Sequence, residues 1–317
     1  MKESVETQKL MDLCEKLPEV NQTYILDLNK STTTKIIYAY ELIRFNDYLK
    51  EKKEKTFINY RTYSEISYDD IQDYFRVIIN KGNEYNTVQR ARTALNGWFN
   101  VLNEIHVVRG NPVCSGKALE MLFWKTTGKE PGDKEKKETV SDMEGFLDVV
   151  ANGTGLSDFQ KRHHEKHRLR DITIVALILD TGLKVSELNA LNTEDYDRDF
   201  SILVVRNRVV KINTYTKEKL DQYIDQCRTI TTETDSRQSP LFVTSDGKRL
   251  AVRSIQSIIK KYSVAGNSPQ AISAEKLREI SAERYYQETG DVQGLKERLG
   301  VKSMTAVEKY ILQKENR

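Results

Sequence analysis

A chain of 317 residues, 38% hydrophobic and 31% charged with a formal net charge of +3, exceeds one typical core of roughly 100–200 residues, so two domains are expected. Fifteen glycines and five prolines exclude collagen-like and low-complexity classes, and no window approaches the run of roughly 18 apolar residues that a membrane helix requires. Fifty basic residues nearly cancel against 47 acidic ones, so a polyanion partner would need cations gathered on one face, and their distribution carries more than their sum.

The N-terminus, MKESVETQKLMDLCEKLPEV, is polar, with no apolar stretch ahead of a small-residue cleavage site, so no secretion signal is expected. Cys14, Cys114 and Cys227 are isolated and odd in number, which argues against a disulfide framework and a CxxC metal site. These features predict a soluble protein of the cytoplasm.

The first elements read as helices. Ser31 to Thr34 offer N-caps ahead of KIIYAYELIRFNDYLKEKK, where Ile36, Tyr40, Ile43 and Leu49 trace an apolar stripe. EKKEK at 51–55 reads as a solvated face. Ser67 then precedes YDDIQDYFRVIINKG, with Asp69 and Asp70 in the first turn and Gly82 as the stop. Asn86 and Thr87 open TVQRARTALNGWFNVLNEIH, in which Val88, Ala91, Leu95, Trp98 and Leu102 share a face. Asn111-Pro112 breaks the chain, and a shorter helix ends near Trp124. Short links between amphipathic helices predict a helical bundle over residues 1–124.

KTTGKEPGDKEKK at 125–137 holds five lysines against Glu130, Asp133 and Glu135, a balance of 5 − 3 = +2. It reads as part of an exposed inter-domain linker over 125–139, either merely solvated or a strap crossing a polyanion. The second domain, 140–317, is mainly helical. DITIVALILD at 171–180 is a buried helix, Thr181-Gly182 a tight turn, and Ser186 and Glu187 start the next helix. SILVVRNRVVKIN, β-branched with a polar middle at Arg206 to Arg208, reads as a short hairpin. Helices follow at TKEKLDQYIDQC, Ser254–Tyr262, Glu275–Tyr286, Leu295–Leu299 and Thr305–Leu312.

KRHHEKHRLR at 161–170 sets His163 and His167 four apart on a helix. It is not HExxH, offers no third ligand, and its cations oppose a metal. A basic surface facing phosphate, or a solvated helix end, is the expectation. With no GxxxxGK[ST] and no GxGxxG either, neither metal nor cofactor is expected.

TGLKVSELNAL at 181–191, between an apolar helix and a hairpin, resembles the first active-site box of the tyrosine recombinases, the phage integrase family. EKLREISAERYYQETGDVQGLKERLGVKSMTAVEKY at 275–310 resembles the second box: histidine-x-x-arginine, leucine-glycine-histidine, then the nucleophilic tyrosine. The opening bundle, ending in Gly110-Asn111-Pro112, is similar to the family's DNA-clamping core-binding domain. The resemblance covers nearly the whole chain in order and spacing. It implies a mainly-α fold, an N-terminal SAM-like helical domain plus a mainly-α recombinase-type domain with a small β-hairpin or sheet, forming a C-shaped clamp around double-stranded DNA.

Carried across residue by residue, the first-box arginine position holds Lys184, the first histidine position Glu275 and the second Val301, while Arg278 and Tyr310 are retained. The hairpin lysine has no clear equivalent, Arg206, Arg208 and Lys211 all lying in its neighbourhood. The family's phosphoryl transfer builds negative charge on non-bridging oxygens. Planar guanidiniums clamp that charge bidentately, and a lysine offers only a point charge. A carboxylate at 275 repels phosphate, and Val301 donates nothing. A lost preorganised donor costs about 10²–10³ in rate and lost acid–base assistance about 10²–10⁴. All four histidines, His106, His163, His164 and His167, precede the second box. Tyr310 also shares a packing stripe with Met304, Val307 and Ile311.

The sequence therefore predicts a non-enzyme, a degenerate recombinase that binds operator sites, as the integrase-like repressors of SPβ-type prophages do. Residues expected at DNA are Thr87, Gln89, Arg90, Arg92 and Asn96 on one N-terminal helix, and Arg206, Arg208, Lys211, Arg253, Ser254, Gln256, Lys260, Ser273, Lys276 and Arg278 in the second domain. Nucleoid association in a bacterial or phage-carrying cell, a role in lysogeny, and weak self-association or a protein antagonist complete that expectation. The alternatives are a divergent but active recombinase using Tyr310, Arg278 and Lys184, and an accessory protein that binds a genuine recombinase through 302–317.

Overall fold

The computed structural model describes residues 2–52, 54, 57–129, 143–227, 239–266 and 272–311. The chain packs as two compact units, Met1–Glu135 and Lys136–Arg317. The expected linker falls outside the described residues beyond Lys129, as do Lys53 and Lys55 of the EKKEK run and Leu312.

The first unit holds seven helices among the described residues: α1 (Lys2–Cys14), α2 (Glu19–Asp27), α3 (Thr32–Lys52), α4 (Tyr60–Ser64), α5 (Tyr68–Asn80), α6 (Tyr85–Glu104) and α7 (Gly116–Thr127). The buried stripe of α3 is Ile36, Ala39, Leu42, Phe45 and Leu49, at steps of three and four. Tyr40 lies outside it, 47% exposed, which corrects the expected stripe: counting on from Ile36 in fours selects the wrong flank. Ser67 starts α5 through a reciprocal capping box with Asp70. Helix α6 begins at Tyr85, slightly ahead of the expected start, with Glu84 as an N-cap whose side chain makes no cap bond. It buries Val88, Ala91, Leu95, Trp98, Phe99 and Leu102.

Helices α1 and α2 had no signal. Among its described side chains α1 buries Leu10, Leu13 and Cys14, near its end, and α2 buries a polar residue, Asn21. That asparagine accepts from Asn46 Nδ2 at 2.8 Å and from the Tyr63 hydroxyl at 2.9 Å, tying α2, α3 and α4 in the interior. Tertiary partners, not local periodicity, make these two helices.

In the second unit, α8 (Met143–Asn152) leads to α9 (Asp158–Thr181), capped by a Ser157–Gln160 box and closed by Gly182 at φ +67°. Its run from Asp171 to Leu179 is continuously buried, and α11 (Thr214–Gln226) and α13 (Ala274–Thr289) pack against it. α10 (Val185–Ala190) precedes a sheet of β1 (Tyr196–Asp197), β2 (Ile202–Val205) and β3 (Arg208–Lys211), antiparallel in the order β1-β2-β3. Leu203 pairs with Val210 and Val205 with Arg208, so the inward side chains register. Two residues turn the hairpin, with Arg206 at φ +55°, a backbone region that favours glycine. α12 (Val252–Ala265), α14 (Val292–Leu299) and α15 (Met304–Ile311) complete the unit.

An ionic cluster centred on Asp171 lies in the interior of the second unit. Asp171 pairs with Arg170 at 2.9 Å and Lys261 at 3.0 Å, and accepts from the Tyr262 hydroxyl at 2.8 Å. His164 lies against the same hydroxyl at 2.9 Å, its pKa lowered chiefly by burial, so it sits neutral near pH 7. Among the described residues no helix is long and apolar enough to cross a membrane, no cluster of three metal-ligating side chains forms, and Cys14, Cys114 and Cys227 are free.

Candidate active site and nucleic-acid interface

Both sequence boxes converge in the second unit on one buried guanidinium. Arg278, on α13, is 1% exposed. It donates from Nη1 to the Gly182 carbonyl, from Nη2 to the Leu299 carbonyl at 2.8 Å, and from Nε to the Tyr310 hydroxyl at 3.3 Å. The turn after α9, the end of α14 and α15 are thereby pinned to one side chain. Gly182 has a reason to be glycine, since a Cβ there would come within 2.7 Å of Leu299. A Gly182→Ala variant is expected to lose about 1–3 kcal/mol, as left-handed strain and overpacking add. Thermal melting of the full chain checks it.

Tyr310 is half-buried and donates to Glu275 Oε1 at 3.1 Å. Burial raises its pKa; Arg278 pulls it down and Glu275 pushes it back up, the net being a rise that leaves the phenol neutral near pH 7. Glu275 is exposed in the first turn of α13. The packing stripe around Tyr310 is formed by Val307 with Tyr310 and Ile311 at its flank. Met304 is 40% exposed and is not part of it. Val301 packs against the same small cluster.

Lys184 stands exposed as the N-cap of α10, which begins at Val185, ahead of Ser186. Its backbone N–H donates to Glu187 Oε2 at 3.0 Å. Glu187, 3% exposed, receives Arg208 in a bidentate pair, Nη1 to Oε1 at 2.8 Å and Nη2 to Oε2 at 3.0 Å. Burial pushes the Glu187 carboxyl up, but the Arg208 and Lys184 hydrogen bonds and the charges of Arg208 and Arg278 outweigh it, so its pKa is lowered. Sequence reasoning gave Glu187 no partner. The signal was its position three residues beyond Lys184, the capping-box spacing.

The model of the phage integrase family matches residues 154–317. The chain belongs to the phage integrase family. Along nearly its whole length this integrase-family chain is also 25% identical to the tyrosine recombinase XerC of Syntrophus aciditrophicus (strain SB), over 96% of the chain and 94% of that relative. The fold matches that of the Tn1549 transposon integrase in complex with circular intermediate DNA, at TM-score 0.71 and 16% identity over 94% of each chain. It also matches the XerH recombinase bound to palindromic difH substrate, at TM-score 0.71 and 16% identity over 99% of this chain and 87% of the other. The expectation of a non-enzyme is corrected by these relatives: the protein similar over 96% of the chain is named a recombinase, an enzyme. Three altered positions were too narrow a base for excluding catalysis in this integrase-family chain.

The side chains expected at DNA fall into two groups. Arg253, Gln256 and Lys260 lie exposed on one face of α12, with Ser254 half-buried beside them, and Arg206 and Lys211 are exposed on the hairpin. On α6, Arg90 is exposed and donates to Thr87 at 3.1 Å. The others have work inside the protein. Arg92 donates to the Cys114 carbonyl at 2.7 Å and Asn96 accepts from Asn111 at 3.0 Å, while the Gln89 Oε1 is buried without a hydrogen-bond partner among the described residues. Ser273 caps α13 and Lys276 lies 3.9 Å from Glu279. Arg208 and Arg278 are held as described. In the histidine-rich run, His163 stacks edge-on to Phe159 at 5.0 Å and His167 contacts Ser245 at 3.2 Å, while the buried member, His164, was not singled out from sequence.

Proposed function

We propose that this chain binds duplex DNA at a specific site and transfers a DNA strand to Tyr310. The observation that carries the reading is the Tyr310 hydroxyl, which meets the retained guanidinium of Arg278 on one side and the carboxylate of Glu275 on the other. In the transfer, the phenol oxygen bonds to phosphorus and one phosphate ester bond to deoxyribose breaks. The phenol proton goes to Glu275, within the reach a general base needs, and the departing alkoxide takes a proton from an ammonium such as Lys184. Arg278 and Lys184 offset the charge that grows on the non-bridging oxygens.

A second reading of the same surface is operator occupancy by a prophage repressor, with lysogeny and nucleoid association as its setting. Lys184 and Val301 favour it: a point charge stands where the family resemblance implies a planar guanidinium and an apolar side chain where it implies a histidine, while the cations on α12 and the hairpin grip the backbone. Both readings require a salt-sensitive DNA complex. If about six phosphates are neutralised, affinity is expected to fall about 10³-fold between 50 and 200 mM salt. Titration of genomic fragments selected by footprinting measures it, and an affinity indifferent to salt would exclude both.

A further inference from the structure

We infer that Arg208 supplies a DNA backbone phosphate with the second guanidinium, in place of the first-box position held by Lys184, and that Glu187 occupies Arg208 until the phosphate arrives. The inference rests on the proposed DNA-binding reading and adds to it a named cation and an exchange.

Three observations carry it. First, Arg208 Nε is buried and has no hydrogen-bond partner among the described residues, although both terminal nitrogens are taken by Glu187. Buried donors are almost always satisfied, so an orphan beside a full carboxylate marks a place where another acceptor fits. Second, Arg208 and Arg278 flank one peptide. The Leu299 carbonyl receives Arg278 Nη2 at 2.8 Å, and a Cβ on the next residue, Gly300, would lie 2.2 Å from Arg208 Nη1. Two forks around one peptide can converge on one tetrahedral anion, which the exposed ammonium of Lys184 engages only as a point charge. Third, Glu187 is not stranded if Arg208 leaves it. It keeps the Lys184 N–H at 3.0 Å and the nearby charge of Arg278. Carboxylate and phosphate present the same paired oxygens to a guanidinium, so one replaces the other without rebuilding the hairpin.

The test uses the full chain, a mixed-sequence duplex DNA fragment, and the variants Glu187→Gln, Arg208→Gln and the double substitution. Removing the competing carboxylate in Glu187→Gln is expected to tighten binding about tenfold, the weight of one charged contact. Arg208→Gln is expected to weaken binding about tenfold and lower the salt slope by about one. The single variant leaves Glu187 with the Lys184 N–H and the charge of Arg278 but without its bidentate partner, so its folding is checked by melting; the double variant removes the buried charge as well. Relative to Glu187→Gln, the double variant should still bind about tenfold more weakly. If it binds and responds to salt as Glu187→Gln does, Arg208 is a scaffold residue and the inference is overturned. If the parent and all variants are equally silent on DNA, the wider reading falls and takes this one with it.

Discussion

A Tyr310→Phe variant is expected to yield no covalent protein–DNA product on a suicide duplex that traps the parent, while binding the same duplex within about threefold of the parent. The phenyl ring retains the packing of Tyr310 against Val307 and its neighbours; only the donation to Glu275 and the acceptance from Arg278 are lost. For a half-buried hydroxyl those bonds are worth about 1 kcal/mol, so the C-terminal unit should melt only roughly 2–4 °C lower. Denaturing gels read the covalent product and equilibrium titration reads the affinity. A covalent product that survives the substitution would remove Tyr310 from the reaction. A parent that is never trapped would leave operator occupancy as the reading of the surface.

Arg278→Ala is expected to do far more to the fold. It removes a side chain with 1% exposure and strips partners from the Gly182 and Leu299 carbonyls in one step. Two orphaned buried acceptors and a cavity together cost about 3–5 kcal/mol, which lowers the melting temperature of a unit of this size by roughly 10 °C. Transfer to Tyr310 should fall at least about 10²–10³-fold, the weight of one preorganised donor. Arg278→Lys separates the two contributions: it restores charge but not the three-way fork, so it should recover binding more than rate or melting. Unchanged melting in Arg278→Ala would contradict the keystone role drawn from its hydrogen bonds.

The parts of the fold with strong local signals were legible in the sequence. The continuous apolar run at 171–180, the β-branched hairpin and the five-residue face of α6 each declare themselves through burial pattern alone. Helices α1 and α2 did not, because α2 is held by the Asn21–Asn46–Tyr63 hydrogen bonds, a contact between residues far apart in the chain. At the site, sequence order was enough to bring Arg278 and Tyr310 together. It was not enough to say what the arginines do. Arg92, Arg208 and Arg278 all read as DNA contacts, yet each donates to a carbonyl or carboxylate of the protein itself. A guanidinium looks the same in a sequence whether it faces solvent or holds a turn. The weight placed on Lys184, Glu275 and Val301 was overdrawn for a related reason: a residue type removed from one position says nothing of a distant one, such as Arg208, that folding brings to the same carboxylate, Glu187, as the Lys184 backbone.

Helix α9 is a single rod of 24 residues, about 36 Å long. Its first turns carry Arg162, His163 and Lys166 in solvent, and its last turn delivers the Gly182 carbonyl to Arg278. The basic tip and the carbonyl that holds Arg278 therefore sit at opposite ends of the longest helix among the described residues, so one continuous element joins a solvated cationic surface to the keystone of the buried site.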